Sequence, residues 1–237
     1  MSFDHQSTRP RSNRILSAAP REEYERLLPR LEYVDLRRGD VLHETGEHIR
    51  HVYFPYAGTI SVVVQMRDGD QAEVGVVGRE GMLGLPLLLG TETAPLRAFT
   101  QVSGGAMRMT AADFREEVGR RAGLYMLLLR YAQAFFVQMA QTAACNRLHP
   151  MEGRLAKWLL TTRELAESDE LDLTHEFVAV MLGVRRAGVT EALGQLRSAG
   201  LIDHSRGRIR ILDVEGLGRE SCECYGVVRD EYERLVA

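Results

Sequence analysis

Apolar residues change their spacing several times along this 237-residue chain. The first dozen residues carry no periodic pattern and are expected to be unstructured. Tyr24, Leu27, Leu28 and Leu31 then share one face, which predicts a short helix over 21–30. From Leu36 to about Met109 the pattern becomes short apolar runs, at 51–55, 59–66, 73–77 and 98–102. Between them stand turn signals at Arg38-Gly39-Asp40, Thr45-Gly46-Glu47, Ala57-Gly58 and 67–70. Short strands at near-regular spacing predict an antiparallel β-roll or barrel.

Helical spacing resumes at Thr110, an expected N-cap with Asp113 in the first turn. After a break near Gly119–Gly123 comes a long helix. On it Leu124, Leu128, Tyr131, Phe135, Gln138, Thr142 and Cys145 recur at alternating steps of four and three. That is the roughly 3.5-residue repeat of two helices packed along their length. The seam is therefore assigned to a dimer interface, with Leu127, Ala134 and Val137 left to face the roll. His149-Pro150 ends the helix, because a residue before proline is pushed out of the helical region. A new helix over 153–165 buries Leu155, Trp158, Leu159 and Leu165.

Residues 171–213 read as a helix-turn-helix followed by a hairpin. Thr174 caps a helix with Phe177, Val178, Met181 and Leu182 inward, and Gly183 permits a tight turn. A second helix over 185–198 turns Val189, Ala192, Leu193 and Leu196 inward. Small Ala179 lies where the two helices must approach closely. Gly200 ends the second helix, and Leu201-Ile202, a turn at 204–207 and Arg208-Ile209-Arg210-Ile211 predict a β-hairpin wing. The N-terminal turn of such a second helix enters the major groove. There Arg185 and Arg186 suit phosphate or guanine edges, Thr190 a thymine methyl or a phosphate, and Glu191 a cytosine amino group. Arg206 and Arg208 on the wing suit backbone phosphates, and Thr174 and Arg197 are counted among the DNA-binding residues.

Composition sharpens this in one respect. Thirty basic and 33 acidic residues give a net charge of −3, so any attraction to DNA has to be local. Between Thr174 and Asp213 six arginines face four acids, and the arginines gather at the second helix and the wing. Three cysteines are too few for a disulfide framework, and no apolar run approaches the about 20 residues that span a bilayer. The polar N-terminus has no apolar core for a secretory leader, so the cytoplasm is the expected compartment. No Walker loop, HExxH or GxSxG stands in the chain, and no catalytic residue or metal site is expected.

Taken together, these segments resemble the Crp/Fnr superfamily of transcription regulators over about residues 13–217. The carriers are Arg38-Gly39-Asp40-Val41-Leu42, Val52-Tyr53-Phe54-Pro55, Gly58-Thr59-Ile60-Ser61 and Val77-Gly78-Arg79-Glu80-Gly81 in the roll. In the C-terminal half they are 182–190 and Gly207-Arg208-Ile209-Arg210-Ile211-Leu212-Asp213. The resemblance implies an α+β chain: a cyclic-nucleotide-binding-like β-roll with flanking helices (13–121), a dimerisation helix (122–148), a winged helix-turn-helix (149–217) and a helical extension (218–237). It implies a homodimer on pseudo-palindromic double-stranded DNA, with RNA polymerase a candidate partner and no membrane.

The departures bear on the effector. Where cyclic-AMP-binding members carry an Arg-Ser pair for the phosphate, this chain has Ala94-Pro95, and a register shift would be needed to bring Arg97 there. The ribose glutamate falls at Gly84, or at Glu80 with a small gap, and the Thr-Ser pair on the long helix is Met139-Ala140. A cyclic phosphate thereby loses its charge-assisted partner, so the effector is expected to be other than cyclic AMP, or none, and no cofactor is expected. No N-terminal cysteine cluster offers iron–sulfur ligation. His43, His48 and His51 are assigned surface polar roles rather than haem ligation, and Cys222 and Cys224 packing roles, with metal binding or a response to oxidation as the alternative for the two cysteines. Arg186-Ala187 replaces the family's frequent Arg-Glu pair, and Glu191 takes a second arginine position, so the operator should differ. A ligand-binding or protein-interaction module with a helix-turn-helix that does not bind DNA is the alternative.

Overall fold

The computed structural model describes residues 12–205 and 207–236. The expectation for the first dozen residues falls almost wholly outside that range, and Arg206 also lies outside it. Two short helices, α1 (Arg14–Ala18) and α2 (Arg21–Leu27), lead into the roll. Asn13 caps α1 and its side-chain amide donates to the Pro55 and Gly81 carbonyls, tying the helix to the roll. The predicted helix over 21–30 ends early, in a single 3-10 turn over Leu28–Arg30 that leaves Leu28 exposed.

The roll is antiparallel, as its pattern predicts, with β1 (Glu32–Leu36), β2 (Val41–His43), β3 (His51–Gln65), β4 (Gln71–Val77) and β5 (Arg97–Thr110). The strands run in the order β1-β5-β3-β4, and β2 also pairs with β5. The boundaries differ in three places: β1 lies before the expected start at Leu36, β5 runs on from the expected 98–102 to Thr110, and Ala57-Gly58 is a bulge inside β3, where the register against β5 shifts. Gly58 takes φ 76°, a left-handed conformation that favours glycine. Across from it, a Cβ on Gly104 would sit 2.1 Å from the Ala57 carbonyl oxygen. Two glycines at the crossing let one strand bend where two were expected. A short helix, α3 (Leu85–Leu88), follows β4.

Thr110 caps α4 (Ala111–Gly119), its hydroxyl accepting from the Asp113 amide. The 26-residue α5 (Gly123–Leu148) follows, and His149 leaves the helical region before Pro150. The assignment of the α5 seam is corrected here. Leu124, Leu128, Tyr131, Gln138 and Cys145 are buried within this same chain, and Phe135 packs on the roll's Gly75. Tyr131 donates to the Met82 carbonyl at 2.9 Å, and the Gln138 side-chain oxygen accepts from the Val76 amide at 2.7 Å. The polar members of the repeat thus satisfy roll backbone, and a partner subunit cannot reach them. The remaining member, Thr142, is half-buried in a cleft against the same chain.

The C-terminal lobe comprises α6 (Met151–Ala166), β6 (Glu170–Leu171), α7 (His175–Leu182), α8 (Arg186–Ser198), β7 (Ile202–Ser205) and β8 (Arg208–Ile211). Its apolar core wholly encloses Leu155, Leu159, Val178, Val189, Leu193 and Ile209 and takes in Val63 and Phe99 of the roll. The helical extension expected over 218–237 is two helices that begin earlier, α9 (Val214–Glu220) and α10 (Cys224–Val236). Asp213 caps α9, and Ser221 breaks it. Then α10 crosses back to α5, where Tyr232 meets the Tyr131 ring and accepts from the Gln138 amide at 3.1 Å. No helix among the described residues is long and apolar enough to cross a membrane.

Candidate DNA-binding face

The turn between α7 and α8 is built as its residues require. Thr174 accepts from the Phe177 amide and starts α7. Gly183 closes it in the left-handed region at φ 62° and ψ 41°, and the Val184 amide reaches back to the Ala179 carbonyl at 3.0 Å. Both features belong to a glycine-terminated helix. Ala179 is buried in the angle between the helices, and Val189, Ala192, Leu193 and Leu196 form the inner face of α8.

The outer face of α8 is where the sequence expects chemistry. Arg185 is its N-cap residue and Arg186 its first helical residue. Both are exposed, and neither forms an ion pair among the described residues. Thr190 is exposed one turn on, its hydroxyl donating to the Arg186 carbonyl at 3.1 Å, and Glu191 stands beside it in solvent. Thr174 is exposed too, although its hydroxyl oxygen already serves the cap.

The other arginines are less free. Arg197 pairs with Asp203 at 3.2 Å, and Arg208 pairs with Asp172 at 3.2 Å and Glu170 at 3.7 Å. Such surface pairs are worth about 0–1 kcal/mol, so a phosphate can displace the carboxylates at small cost. The wing is three-stranded rather than a bare hairpin, because β6 adds to β8 in the order β6-β8-β7.

Two histidines gave no signal in the sequence. His175 opens α7 and His204 lies on β7, in no recognisable motif, yet their rings stand 5.1 Å apart. The His175 Nδ1 is 3.0 Å from the Thr190 hydroxyl. Burial first, and then the neighbouring His204 and Arg186, hold the His175 pKa below its ordinary value. Only folding brings these rings beside Arg186, which is why spacing did not reveal them.

Phe177 also departs from expectation. It packs at the margin of the lobe's core and reaches the roll, edge-on to Phe99 at 6.3 Å and beneath the Arg38 guanidinium at 5.1 Å. Arg38 also donates to the Asp172 carbonyl. Above this, Trp158 of α6 donates to the buried Glu73 of β4 at 2.8 Å, and Ser61 donates to the same carboxylate at 2.5 Å.

Inside the roll, a cavity of about 250 Å³ lies between the sheet, α3 and α5. Ala94, Pro95, Gly84 and Met139 are on its wall, and His43 is the one titratable residue among the described residues lining it. His43 is buried rather than superficial, its ring Nε2 2.9 Å from the His51 carbonyl oxygen, and burial lowers its pKa. His48 is exposed and His51 half-buried. Arg97 is paired with Glu44 at 3.2 Å and takes no part in the cavity wall. Glu80 is buried elsewhere, accepting from the Gly78 amide at 2.9 Å.

Comparison with known proteins bears on both lobes. Residues 33–121 match the cyclic nucleotide-binding domain family, and residues 153–220 match the Crp-like helix-turn-helix domain family. The CRP-like cAMP-activated global transcriptional regulator of Mycobacterium tuberculosis is 25% identical over 204 residues, which is 82% of this chain and 90% of that protein. The structure of FixK2 from Bradyrhizobium japonicum is similar with a TM-score of 0.68 at 16% identity, over 81% of this chain and 98% of that one. A CRP-family transcriptional regulator from Thermus thermophilus gives a TM-score of 0.65 at 20% identity, over 79% of this chain and 96% of that one. The two structural likenesses speak for the fold.

Proposed function

We infer the mode of action from one premise: this chain belongs to the Crp/Fnr superfamily of transcriptional regulators. It regulates transcription through its helix-turn-helix, and it acts by binding, in the cytoplasm, without a catalytic step. The observation that carries the residue assignment is the pair Arg185 and Arg186, exposed and unpaired among the described residues at the start of α8. In that position they meet base edges or phosphates of the major groove, with Thr190 and Glu191 one turn behind. Arg197 and Arg208 exchange their carboxylates for backbone phosphates, and His175 and His204 line the approach to Arg186.

The regulator works as a homodimer, and the contact is the outward face of α5 rather than its inward seam. Tyr125, Leu129, Ala132, Phe136, Met139 and Ala143 repeat at steps of four and three there, and Phe136 is 67% exposed. A helix with this second repeat pairs with its copy along the same supercoiled path. Two lobes so related contact half-sites about 34–36 Å apart, on a pseudo-palindrome.

The effector, if there is one, is not cyclic AMP. A cavity walled by Ala94, Pro95, Gly84 and Met139 supplies no guanidinium for a cyclic phosphate, and its character favours an apolar ligand. Genomic footprinting of wild type and the Arg185→Ala/Arg186→Ala variant tests the whole reading. The wild type should protect discrete palindromic sites. Losing two bidentate contacts at about 1–3 kcal/mol each should cost at least tenfold in affinity. Unchanged protection by the double variant would remove the mechanism.

A further inference from the structure

The C-terminal extension places a further chemical feature in the molecule, away from the DNA face and the roll cavity. Cys145 stands in the last turn of α5 and His149 is the residue that caps it, its amide donating to the Cys145 carbonyl at 3.1 Å. Cys222, in the link between α9 and α10, and Cys224, the first residue of α10, lie against them. The Cys145 and Cys222 sulfurs are 3.5 Å apart, and the Cys224 sulfur is 3.4 Å from the His149 Nδ1. One ligand atom from each residue can be chosen so that all four lie within 4.8 Å of one another. We propose that Cys145, His149, Cys222 and Cys224 form a Cys3His site for a single thiophilic divalent metal ion, with zinc the best fit.

Geometry and donor chemistry argue for this together. Zinc–sulfur bonds of about 2.3 Å and zinc–nitrogen bonds of about 2.0–2.1 Å, arranged tetrahedrally, put neighbouring ligand atoms roughly 3.5–3.8 Å apart. The cluster needs only small side-chain adjustments to reach that. Four atoms so close surround one ion, whereas the ligands of a multinuclear cluster are shared among several metals. All four positions are filled by protein, which is the closed form of a structural site.

The surroundings match as well. The His149 Nε2 is 3.4 Å from the Glu223 carboxylate, so the imidazole can be oriented by an acid while Nδ1 faces the metal. Gln141 donates to the Cys224 sulfur at 3.2 Å, and the Cys222 amide is anchored on the Gly153 carbonyl at 3.3 Å. On binding, each thiol releases its proton to solvent, and three thiolates around a dication leave one net negative charge. Lys157 shares the adjoining cleft with Cys145 and Cys224 and offsets it. The ligands come from the last turn of α5, from the residue before Pro150, from the α9–α10 link and from the start of α10. A bound ion therefore staples the terminal helix to the joint between the two lobes.

The test uses the full chain, purified under reducing conditions and loaded with zinc or cobalt alone. One ion per protomer is expected, and the cobalt form should show thiolate-to-metal charge transfer with tetrahedral d–d bands. Cys222→Ser and Cys224→Ser should each abolish that spectrum. Glu223→Gln retains all four ligands, so its fold is not at issue. It should weaken zinc about 10–100-fold in chelator competition with the cobalt spectrum kept. Failure of the reduced wild type to take up either ion would overturn the proposal. So would isolation with a Cys145–Cys222 disulfide whose reduction restores no binding, or with iron and acid-labile sulfide in place of one ion.

Discussion

Gly183 carries the bend on which the DNA-binding face depends, because its φ of 62° places the N-terminus of α8 outward. A Cβ there would meet only Ala72, at an ordinary 3.4 Å, so strain rather than crowding sets the cost of change. Gly183→Ala should lose about 1–2 kcal/mol in urea unfolding, the penalty for an L-residue in the left-handed region. Glu73 offers a second test. Burial raises its carboxyl to about 7 from 4.5, against the opposing pull of Ser61, Trp158 and the Lys157 charge. The folded protein thus holds a proton that the unfolded chain releases. This contribution is complete below about pH 4.5 and lost as pH rises through about 7. Glu73→Gln should flatten that part of the stability profile, and a profile identical to wild type would refute the assignment. Arg185, Arg186, Thr190 and Glu191 were legible in sequence because the turn glycine fixes their place on a regular helix. His175, His204 and the Cys145–His149–Cys222–Cys224 group were not, since tertiary folding alone gathers them.

At the scale of elements, α5 shows what periodicity can and cannot say. It carries two overlapping repeats of alternating fours and threes, and a repeat declares that a stripe packs without naming what it packs on. Tyr131 and Gln138 held the discriminating information: a phenol and an amide on a seam need partners, and roll backbone supplies them. The outward stripe is the one that the proposed homodimer would use. Phe136→Glu should convert the dimer to monomer in sedimentation while preserving the circular dichroism spectrum, because that ring is 67% exposed in the single chain. A persistent dimer would place the interface elsewhere. The strands β3, β4 and β5 were readable from their short apolar runs, but β1, β2 and the continuity of β3 through Gly58 were not. Glycine marks a turn and a bulge alike, and the pairing of β3 with β5 decides between them.

For the whole molecule, the order of lobes was apparent from the change of apolar spacing, whereas their mutual contact was not. Phe177 on Phe99, Arg38 on Asp172 and Trp158 on Glu73 join lobes that are distant in sequence. Tyr232 completes the join from the far end, buried against Tyr131 and Gln138. Tyr232→Ala should destabilise the protein by about 3–5 kcal/mol in a denaturant melt, the range for deleting a large enclosed ring. A loss below about 1 kcal/mol, outside that range, would mean that α10 is not seated as described.

The return of α10 to the roll makes the molecule a closed circuit rather than beads on a string. Scissors applied at Pro150 would not liberate two self-sufficient modules: the leading fragment would be stripped of its lid at Tyr131, and the trailing one would wave a greasy, homeless helix. Fragments made that way should aggregate when expressed apart and regain solubility when expressed together.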